Sequence, residues 1–120
     1  MEKIPWVIPS ELLDSIQGII SINMIHIASW NCTKLLFNES GKLLKNGQFL
    51  ILYGPFKICN KHISQSNELF ASSLKLKNKS WGVRNLGDVS EEASNNGFIE
   101  EELIHMPANN LLVIYRKTSI

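Results

Sequence analysis

Residues 20–30 read ISINMIHIASW, an apolar run that ends in an asparagine, a histidine and a tryptophan. From Ile16 to Met24, isoleucine occurs on both alternating faces of an extended chain. This pattern is typical of a central strand that is covered on both sides, as in parallel sheets. The stretch therefore predicts a buried strand, and its polar end needs a separate explanation.

A helix and a second strand follow this first strand. The pattern predicts a helix from Trp30 to Leu44, with Ser29 as its N-cap and one apolar stripe at helical spacing. Residues 45–47 read Lys-Asn-Gly and predict the end of the helix, because Asn and Gly tolerate the left-handed conformation. Phe49 to Tyr53 then form a second short apolar strand, closed by a Gly-Pro pair.

Strand, helix and strand within about 40 residues form a βαβ unit, whose two strands pair in parallel through a right-handed crossover. Ligand sites in such sheets lie beyond the carboxyl ends of the strands. This rule places Asn23 to His26 beside Gly54 to Phe56 at one cleft. The polar end of the first strand is therefore predicted to face a ligand.

The second half of the chain is more polar. Ser64 or Ser66 is predicted to cap a helix that runs to Lys77, and a shorter helix is predicted from Gly87 to Asn95. Phe98 to Met106 and Leu111 to Arg116 read as two strands of an antiparallel hairpin, joined by a turn-like connector. The run Glu100-Glu101-Glu102 is most simply a solvated strand face. The predicted fold class is α/β.

Composition limits the possible functions. The 120 residues, 44% of them hydrophobic, suit a single domain over residues 1–120, and a net charge of +1 gives no support to nucleic-acid binding. The longest apolar run, Ile16 to Ile27, is too short to span a membrane, and the first residues lack a signal-peptide pattern, so a cytoplasmic location is expected. Cys32 and Cys59 have no CxxC spacing, so neither a metal site nor a disulfide is expected.

Five motifs in one order carry a resemblance to a known family. They are Asn23-Met24-Ile25-His26-Ile27 with Trp30, Cys32 and Thr33; Tyr53-Gly54-Pro55-Phe56; Ser66-Asn67 to Phe70 with Ser73-Leu74; Asn78 with Trp81-Gly82-Val83-Arg84; and Met106-Pro107-Ala108-Asn109-Asn110. In one register from Trp6 to Lys117, the chain resembles a methyltransferase-like family known as domain of unknown function 938. The family is placed among the class I S-adenosylmethionine-dependent methyltransferases.

The resemblance implies a partial Rossmann-like sheet. Class I methyltransferases have seven strands, and the resemblance makes the present ones strands four to seven, with the last two as the antiparallel hairpin. Such enzymes hold S-adenosylmethionine mainly through a glycine-rich loop in the first half of the domain, whereas the seven glycines here never form GxG. The chain is therefore expected to be the carboxyl-terminal half only, lacking the cofactor-binding half, and to bind no cofactor alone.

The resemblance also implies roles for individual residues. His26 would be the catalytic proton acceptor, although a structural histidine bonded to a neighbouring carbonyl is the other interpretation. Asn23 and Met24 would approach the cofactor. The substrate side would comprise Pro55, Phe56, Asn67, Trp81, Arg84, Asn109 and Asn110.

Several of these substrate-side residues also have ordinary structural interpretations. Trp81 suits a core position, Arg84 a surface ion pair, and Asn109 and Asn110 a turn. The family's usual pair of arginines is replaced here by Lys75 and Lys77, which cannot make the bidentate contacts of arginine.

Two functions follow as hypotheses. The first is the substrate-side half of a methyltransferase, inactive alone, whose cofactor half is supplied elsewhere, for example by a separate amino-terminal half, or has been lost. The second is a non-catalytic interaction module, or a remnant, that pairs with a partner chain. In both, the strand from Ile16 to Met24 would be an open apolar edge, which predicts that the isolated chain either associates, with that half or with a second copy, or is poorly stable.

Overall fold

The computed structural model describes residues 18–118, which form a mixed α/β fold with two sheets and three helices. No helix within this range combines the length and the apolar composition of a membrane span. The strands are β1 Gly18–Ile22, β2 Phe49–Gly54, β3 Phe56–Ile58, β4 Lys61–His62, β5 Arg84–Asn85, β6 Phe98–Met106 and β7 Asn110–Lys117. The helices are α1 Trp30–Leu43, α2 Gln65–Lys77 and α3 Leu86–Asn95, with short 3-10 turns at Ile25–Ile27 and Pro107–Asn109.

The larger sheet has four strands in the order β1-β2-β7-β6. β1 and β2 are parallel, and β7 is antiparallel to both β2 and β6. The parallel pairing around α1 and the terminal antiparallel hairpin are therefore confirmed. The predicted bounds of all three helices lie within one residue of the observed ones, because each helix carries its own start and stop signals.

One face of this sheet forms the core. Leu50 and Leu52 of β2 and Val113 and Tyr115 of β7 point to that face and are fully buried. Phe37 of α1 lies over them, with its ring edge-to-face on Tyr115 at a centroid distance of 5.4 Å. α3 covers the same core with Val89 and Ala93. Two helices on one face therefore fix how β2 and β7 present their ends to the site.

β1 is not the central, covered strand that its isoleucine pattern alone predicts, but the apolar edge strand that the resemblance implies. Within residues 18–118 its only neighbour is β2, so it forms an edge of the sheet, and Ile20 and Ile22 are 64% and 63% exposed. The register pairs them with Ile51 and Tyr53, whose side chains alternate with the buried leucines and so lie on the face opposite α1 and α3. Residues 16 and 17 of the predicted strand lie outside the described residues.

The opposite edge of the sheet is built differently. Glu100, Glu101 and Glu102 of β6 are all exposed, as predicted, but they do not form one regular face. The pairing of β6 with β7 shifts register between Glu100 and Glu102, which is a β-bulge. Glu101 uses the extra position to form an ion pair with Arg116 of β7 at 2.8 Å.

A second sheet was absent from the sequence prediction. It has three very short strands in the order β4-β3-β5, and β3 pairs in parallel with β5 across 25 residues of intervening chain. Two-residue strands such as Lys61–His62 carry no periodicity that a sequence pattern could reveal. This small sheet matters for the site, because it holds Arg84 next to the end of β1.

Ser64 caps α2, and its loss should weaken this helix. The Oγ of Ser64 accepts a hydrogen bond from the Asn67 N–H at 3.1 Å. We expect Ser64→Ala to lower the free energy of unfolding by about 1 kcal/mol, because an N-terminal donor loses its partner. Urea denaturation followed by circular dichroism measures the effect.

The matched control for that substitution is Ser72→Ala within the same helix. The Oγ of Ser72 bonds the Glu68 carbonyl at 3.2 Å inside the helix, where alanine is the better helix former, so the change should be neutral or slightly stabilising. Equal losses for Ser64→Ala and Ser72→Ala would contradict the capping role.

Candidate functional site

The candidate site begins where β1 ends. Asn23 adopts a left-handed backbone conformation with a φ of 52°, and its N–H donates a 2.8 Å hydrogen bond to the Tyr53 carbonyl of β2. Asparagine tolerates this conformation better than most residues, which explains its place at the turn. The chain then enters the 3-10 turn Ile25–Ile27 and crosses the carboxyl end of the sheet, bringing His26 over the end of β2.

Gly54 at the end of β2 permits a close approach. A Cβ atom built on Gly54 would lie 3.3 Å from Asn23 Oδ1 and 3.5 Å from the His26 ring, and the φ of Gly54 is 156°, which side chains rarely adopt. The sequence prediction that Asn23 to His26 lie beside Gly54 is therefore confirmed. Glycine suits this position because a Cβ would crowd Asn23 Oδ1 and would require a backbone conformation that side chains rarely adopt.

A cleft of about 480 Å³ opens at this point. Its described lining, which we call the candidate cleft, contains three amide side chains, one imidazole and one phenyl ring, and none of these residues carries a carboxylate, an ammonium or a guanidinium group. The lining residues are Asn23, His26, Ile27, Pro55, Ser66, Asn67, Phe70, Ala108 and Asn110. The cleft is therefore suited to an uncharged group that can form hydrogen bonds.

His26 is the titratable residue of the candidate cleft. Only 4% of its surface is exposed, and its ring lies edge-to-face on Phe70 at a centroid distance of 5.7 Å. Burial lowers the pKa of His26, and the positive charge of Arg84 lowers it further. The imidazole is therefore neutral at pH 7 and can accept a proton. The His26 carbonyl accepts a hydrogen bond from the Gly82 N–H at 3.0 Å, which fixes the turn that carries the ring.

Two asparagines that line the candidate cleft contact the turn between β6 and β7 and the strand that follows it. Asn67, buried at the start of α2, donates from Nδ2 to the Asn109 carbonyl at 3.1 Å. Ala108 and Asn109 both have left-handed φ values, of 63° and 60°. Asn110 lines the cleft and donates from Nδ2 to the Tyr53 hydroxyl at 3.3 Å. The turn between β6 and β7 thus becomes part of the cleft through these two asparagine side chains.

Five of the predicted site residues lie away from the cleft lining, and Arg84, the fifth, is described below. Met24 packs against the main core, and Phe56, fully buried, belongs to that core. Trp81 packs against a small satellite cluster of Ala71, Leu74 and Val83. Asn109 contributes its backbone carbonyl to Asn67 and does not line the cavity. The structure thus brings together Asn23, His26, Pro55, Asn67 and Asn110.

Arg84 is held by backbone carbonyl groups. Its Nη2 donates to the carbonyls of Ala28 and Ser80, both at 2.7 Å, and its Nε donates to that of Ile25 at 3.4 Å. Its guanidinium carbon lies 5.7 Å from the centre of the Trp30 ring. Arg84 therefore links β5 to the turn that carries His26, and the described residues show no surface ion pair at this position.

Sequence reasoning missed four cleft residues. Ile27, Ser66, Phe70 and Ala108 line the cavity, although all lie in or next to segments that the sequence analysis singled out. Ser66 and Phe70 are four residues apart, so they lie on one face of α2 and point the same way. That spacing was the signal available in the sequence.

Substituting Gly54 should disturb the cleft directly. We expect Gly54→Ala to lower the free energy of unfolding by about 1–2 kcal/mol, because the new methyl group meets Asn23 and the His26 ring in an unfavourable backbone conformation. Thermal denaturation gives the stability, and the NMR signals of the His26 ring report its displacement.

Gly87→Ala provides a control of opposite sign. Gly87 lies in α3, where a Cβ would meet only Asn85 Nδ2 at 3.4 Å, so alanine should stabilise the helix by about 0.5–1 kcal/mol. A Gly54→Ala variant as stable as the wild type, with unchanged His26 signals, would contradict the close approach.

The described residues provide only part of a cofactor site. No three His, Cys, Asp or Glu side chains in residues 18–118 are arranged to hold a metal ion. For S-adenosylmethionine, Asn23 and the backbone of the turn after β1 could contact the end that carries the methyl group. The described lining holds no carboxylate for ribose hydroxyls, so this part of the chain fits one side of that molecule.

The fold resembles part of several solved methyltransferases. It resembles human N-acetylserotonin methyltransferase, solved in complex with SAM, with a TM-score of 0.75 and 15% identity over 98% of this chain and 32% of that one. It also resembles an O-methyltransferase family 2 protein from Planctomyces limnophilus, solved with apigenin, with a TM-score of 0.76 and 14% identity over 85% and 31% of the two chains. An O-methyltransferase family protein from Burkholderia thailandensis gives a TM-score of 0.72 and 10% identity over 86% and 30%.

These likenesses define the fold as that of S-adenosylmethionine-dependent methyltransferases. The chain belongs to the DUF938 family, described as proteins of unknown function, whose model matches residues 2–117. The chain spans about a third of the length of the solved structures it matches, at 30% to 32% for the three compared.

Proposed function

We propose that this chain forms the acceptor side of a class I S-adenosylmethionine-dependent methyltransferase. The observation that carries the proposal is the candidate cleft, in which a buried neutral His26 lies at the carboxyl ends of two parallel strands. Ligands of parallel α/β sheets bind at such strand ends. The methyl acceptor enters this cleft, and His26 is its proton acceptor.

The strand order supports an assignment within the class I sheet. The resemblance makes β1 and β2 the fourth and fifth strands, and makes β6 and β7 the sixth and seventh. The observed order β1-β2-β7-β6, with β7 antiparallel to β2, fits this assignment. The first three strands then belong on the free side of β1.

Each cleft residue has a role under this proposal. Bound S-adenosylmethionine supplies an electrophilic methyl group. His26 takes the proton from an acceptor hydroxyl or amine at a ring nitrogen, which its lowered pKa keeps unprotonated at pH 7. Asn23 and Asn110 donate or accept hydrogen bonds that orient the acceptor, and Pro55 and Phe70 exclude water from one side. Asn67 keeps the Pro107–Asn109 turn in position.

The cofactor half is the proposed partner. Within residues 18–118, β1 has a strand on one side only, so Ile20 and Ile22 offer apolar side chains and the other edge of β1 is available to a further strand. A segment with a glycine-rich loop would pair there and complete the cofactor site. The 120 residues by themselves are then inactive and bind no S-adenosylmethionine.

Calorimetry with S-adenosylmethionine tests the proposal. The 120-residue chain is titrated alone and again after mixing with the glycine-rich first half of a full-length DUF938 protein. We expect no binding by the chain alone, and binding together with methyl transfer by the mixture. Micromolar binding by the chain alone would overturn the assignment of the cofactor site to another segment.

A pair of surface variants sharpens this test. Ile20→Lys places a charge on the β1 edge and should prevent association with the first half. Ile99→Lys changes an exposed isoleucine on β6, at the other side of the sheet, and should leave association intact. If both variants associate normally, β1 is not the joining strand.

The exposed edge also supports a second function, that of a non-catalytic interaction module. An apolar edge strand binds a partner chain through backbone hydrogen bonds without any chemistry. The two functions separate in one measurement. The interaction module is favoured if the reconstituted pair associates and binds S-adenosylmethionine but methylates none of the acceptors tested. In that case a variant without His26 would behave like the wild type.

A further inference from the structure

A second cavity lies apart from the candidate cleft. It measures about 510 Å³ and lies between α3, the carboxyl-terminal half of α2 and the small sheet. Its inner surface consists of Ala71, Gly82 and Val83, all buried or nearly so, with the Trp30 ring beside them. We call it the charged pocket, because both signs of charge surround this small apolar surface. None of its described lining residues belongs to the candidate cleft.

One wall of the charged pocket is acidic. Asp88, Glu91 and Glu92 of α3 line it, at spacings of three and four residues. Residues at this spacing lie on one face of a helix, so the three carboxylates share a side of α3. The buried residues Val89 and Ala93 on the other side anchor the helix in the core. The acidic wall is therefore held on a fixed element.

The facing walls are basic. Lys57 of β3 and Lys75 of α2 line the pocket, and the Cε and Nζ atoms of Lys75 lie 3.5 and 3.6 Å from the position of a Cβ on Gly82. Arg84 also lines it. Its Nε and Nη2 are committed to carbonyl groups, whereas Nη1 has no hydrogen-bond partner among residues 18–118. The guanidinium is thus fixed in orientation and retains donors for a ligand.

The two sets of charges do not neutralise each other. Across the described part of the chain, no carboxylate of the acidic wall lies within ion-pair distance of Lys57, Lys75 or Arg84. His62, which also lines the pocket, has a buried Nδ1 without a hydrogen-bond partner in the same range.

We propose that the charged pocket binds a small zwitterion, with its ammonium group toward Asp88 and Glu92 and its carboxylate toward Lys75 and Arg84. A molecule with a single charge would satisfy one wall and be repelled by the other, so the pocket should discriminate against it. A molecule with both charges on a short apolar chain satisfies both walls and covers Ala71 and Val83. This inference does not depend on the proposed methyltransferase function.

Three probes of equal length test the proposal on the 120-residue chain. The first, 6-aminohexanoate, carries both charges. Hexylamine carries only the positive charge, and hexanoate carries only the negative charge. Binding is followed by the NMR signals of the Gly82 amide and the Trp30 indole N–H. We expect 6-aminohexanoate to bind at least tenfold more tightly than either singly charged probe. Equal affinities for 6-aminohexanoate and one of the other probes, or no signal change up to millimolar concentrations, would overturn the proposal.

Substitutions on each wall give separate readouts. The double variant Asp88→Asn and Glu92→Gln should weaken 6-aminohexanoate about tenfold and leave hexanoate unchanged or tighter. Lys75→Met should weaken 6-aminohexanoate and hexanoate and spare hexylamine. Glu102→Gln and Lys34→Met change exposed charges outside the pocket and serve as controls. Losses of the same size in the controls and in the pocket variants would show a nonspecific charge effect and overturn the proposal.

Discussion

Replacing Arg84 by methionine is expected to lower the free energy of unfolding by about 2–4 kcal/mol, the largest loss we expect from any residue outside the core. Methionine keeps much of the aliphatic length but removes the donors that bind the carbonyls of Ile25, Ala28 and Ser80. Hydrogen bonds from a charged donor are stronger than neutral ones. Chemical denaturation of the purified chain measures the loss.

The same substitution should also loosen the candidate cleft. Two of the three carbonyls belong to the segment from Ile25 to Ala28, which carries His26. Without Arg84 this turn keeps only its backbone links, such as the Gly82 N–H to His26 carbonyl bond. Hydrogen exchange at Ile27 and Gly82 should therefore become faster in Arg84→Met than in the wild type.

Arg116→Met is the matched control for this prediction. Arg116 bonds Glu101 at 2.8 Å on the exposed surface of the sheet, so its loss should cost only about 0–1 kcal/mol. If Arg84→Met proves as mild as Arg116→Met, the carbonyl contacts of Arg84 contribute little to stability.

Replacing His26 by alanine in the reconstituted methyltransferase is expected to lower kcat by about 10²- to 10⁴-fold, with a smaller change in KM. The imidazole accepts the acceptor's proton, a step that matters in the transition state more than in binding. Rates with a saturating acceptor, measured beside the binding of S-adenosylmethionine, separate this loss from misfolding. His105→Ala, which alters an exposed histidine on β6, should leave kcat unchanged.

The pH profile gives an independent readout of the same residue. Burial and the charge of Arg84 lower the pKa of His26 below its ordinary value of 6.5. The active base form therefore persists as the pH falls through 6.5, and the acid limb of the rate profile should lie below that value. Above pH 6.5, His26 should cause no further change in the rate. A limb at or above pH 6.5, or wild-type rates for His26→Ala, would remove His26 as the proton acceptor.

The main elements could be predicted because their signals are local. Ser29 and Ser64 precede helices, Gly47 follows one, and the parallel pairing of β1 with β2 follows from a helix lying between two apolar strands. The cleft position followed from the same rule, since strand ends of a parallel pair meet. Asn23 and His26 were found in this way.

The remaining features depend on contacts between distant parts of the chain. β3 pairs with β5 through Phe56 and Arg84, and neither strand is long enough to show a pattern. Arg84 was expected at an anion or in an ion pair, yet it bonds carbonyls some 56 to 59 residues earlier in the chain. Every residue has a backbone carbonyl, so no sequence motif indicates which carbonyls will accept hydrogen bonds from an arginine.

The two edges of the larger sheet have unequal consequences for assembly. β6 carries a bulge and three exposed glutamates, which prevent another strand from adding there. β1 has neither a bulge nor a charged residue along Gly18–Ile22. The sheet can therefore extend in one direction only. Pairing of β1 with β1 of a second copy would leave a β6 edge outermost on both sides, so an assembly of that kind would stop at two copies.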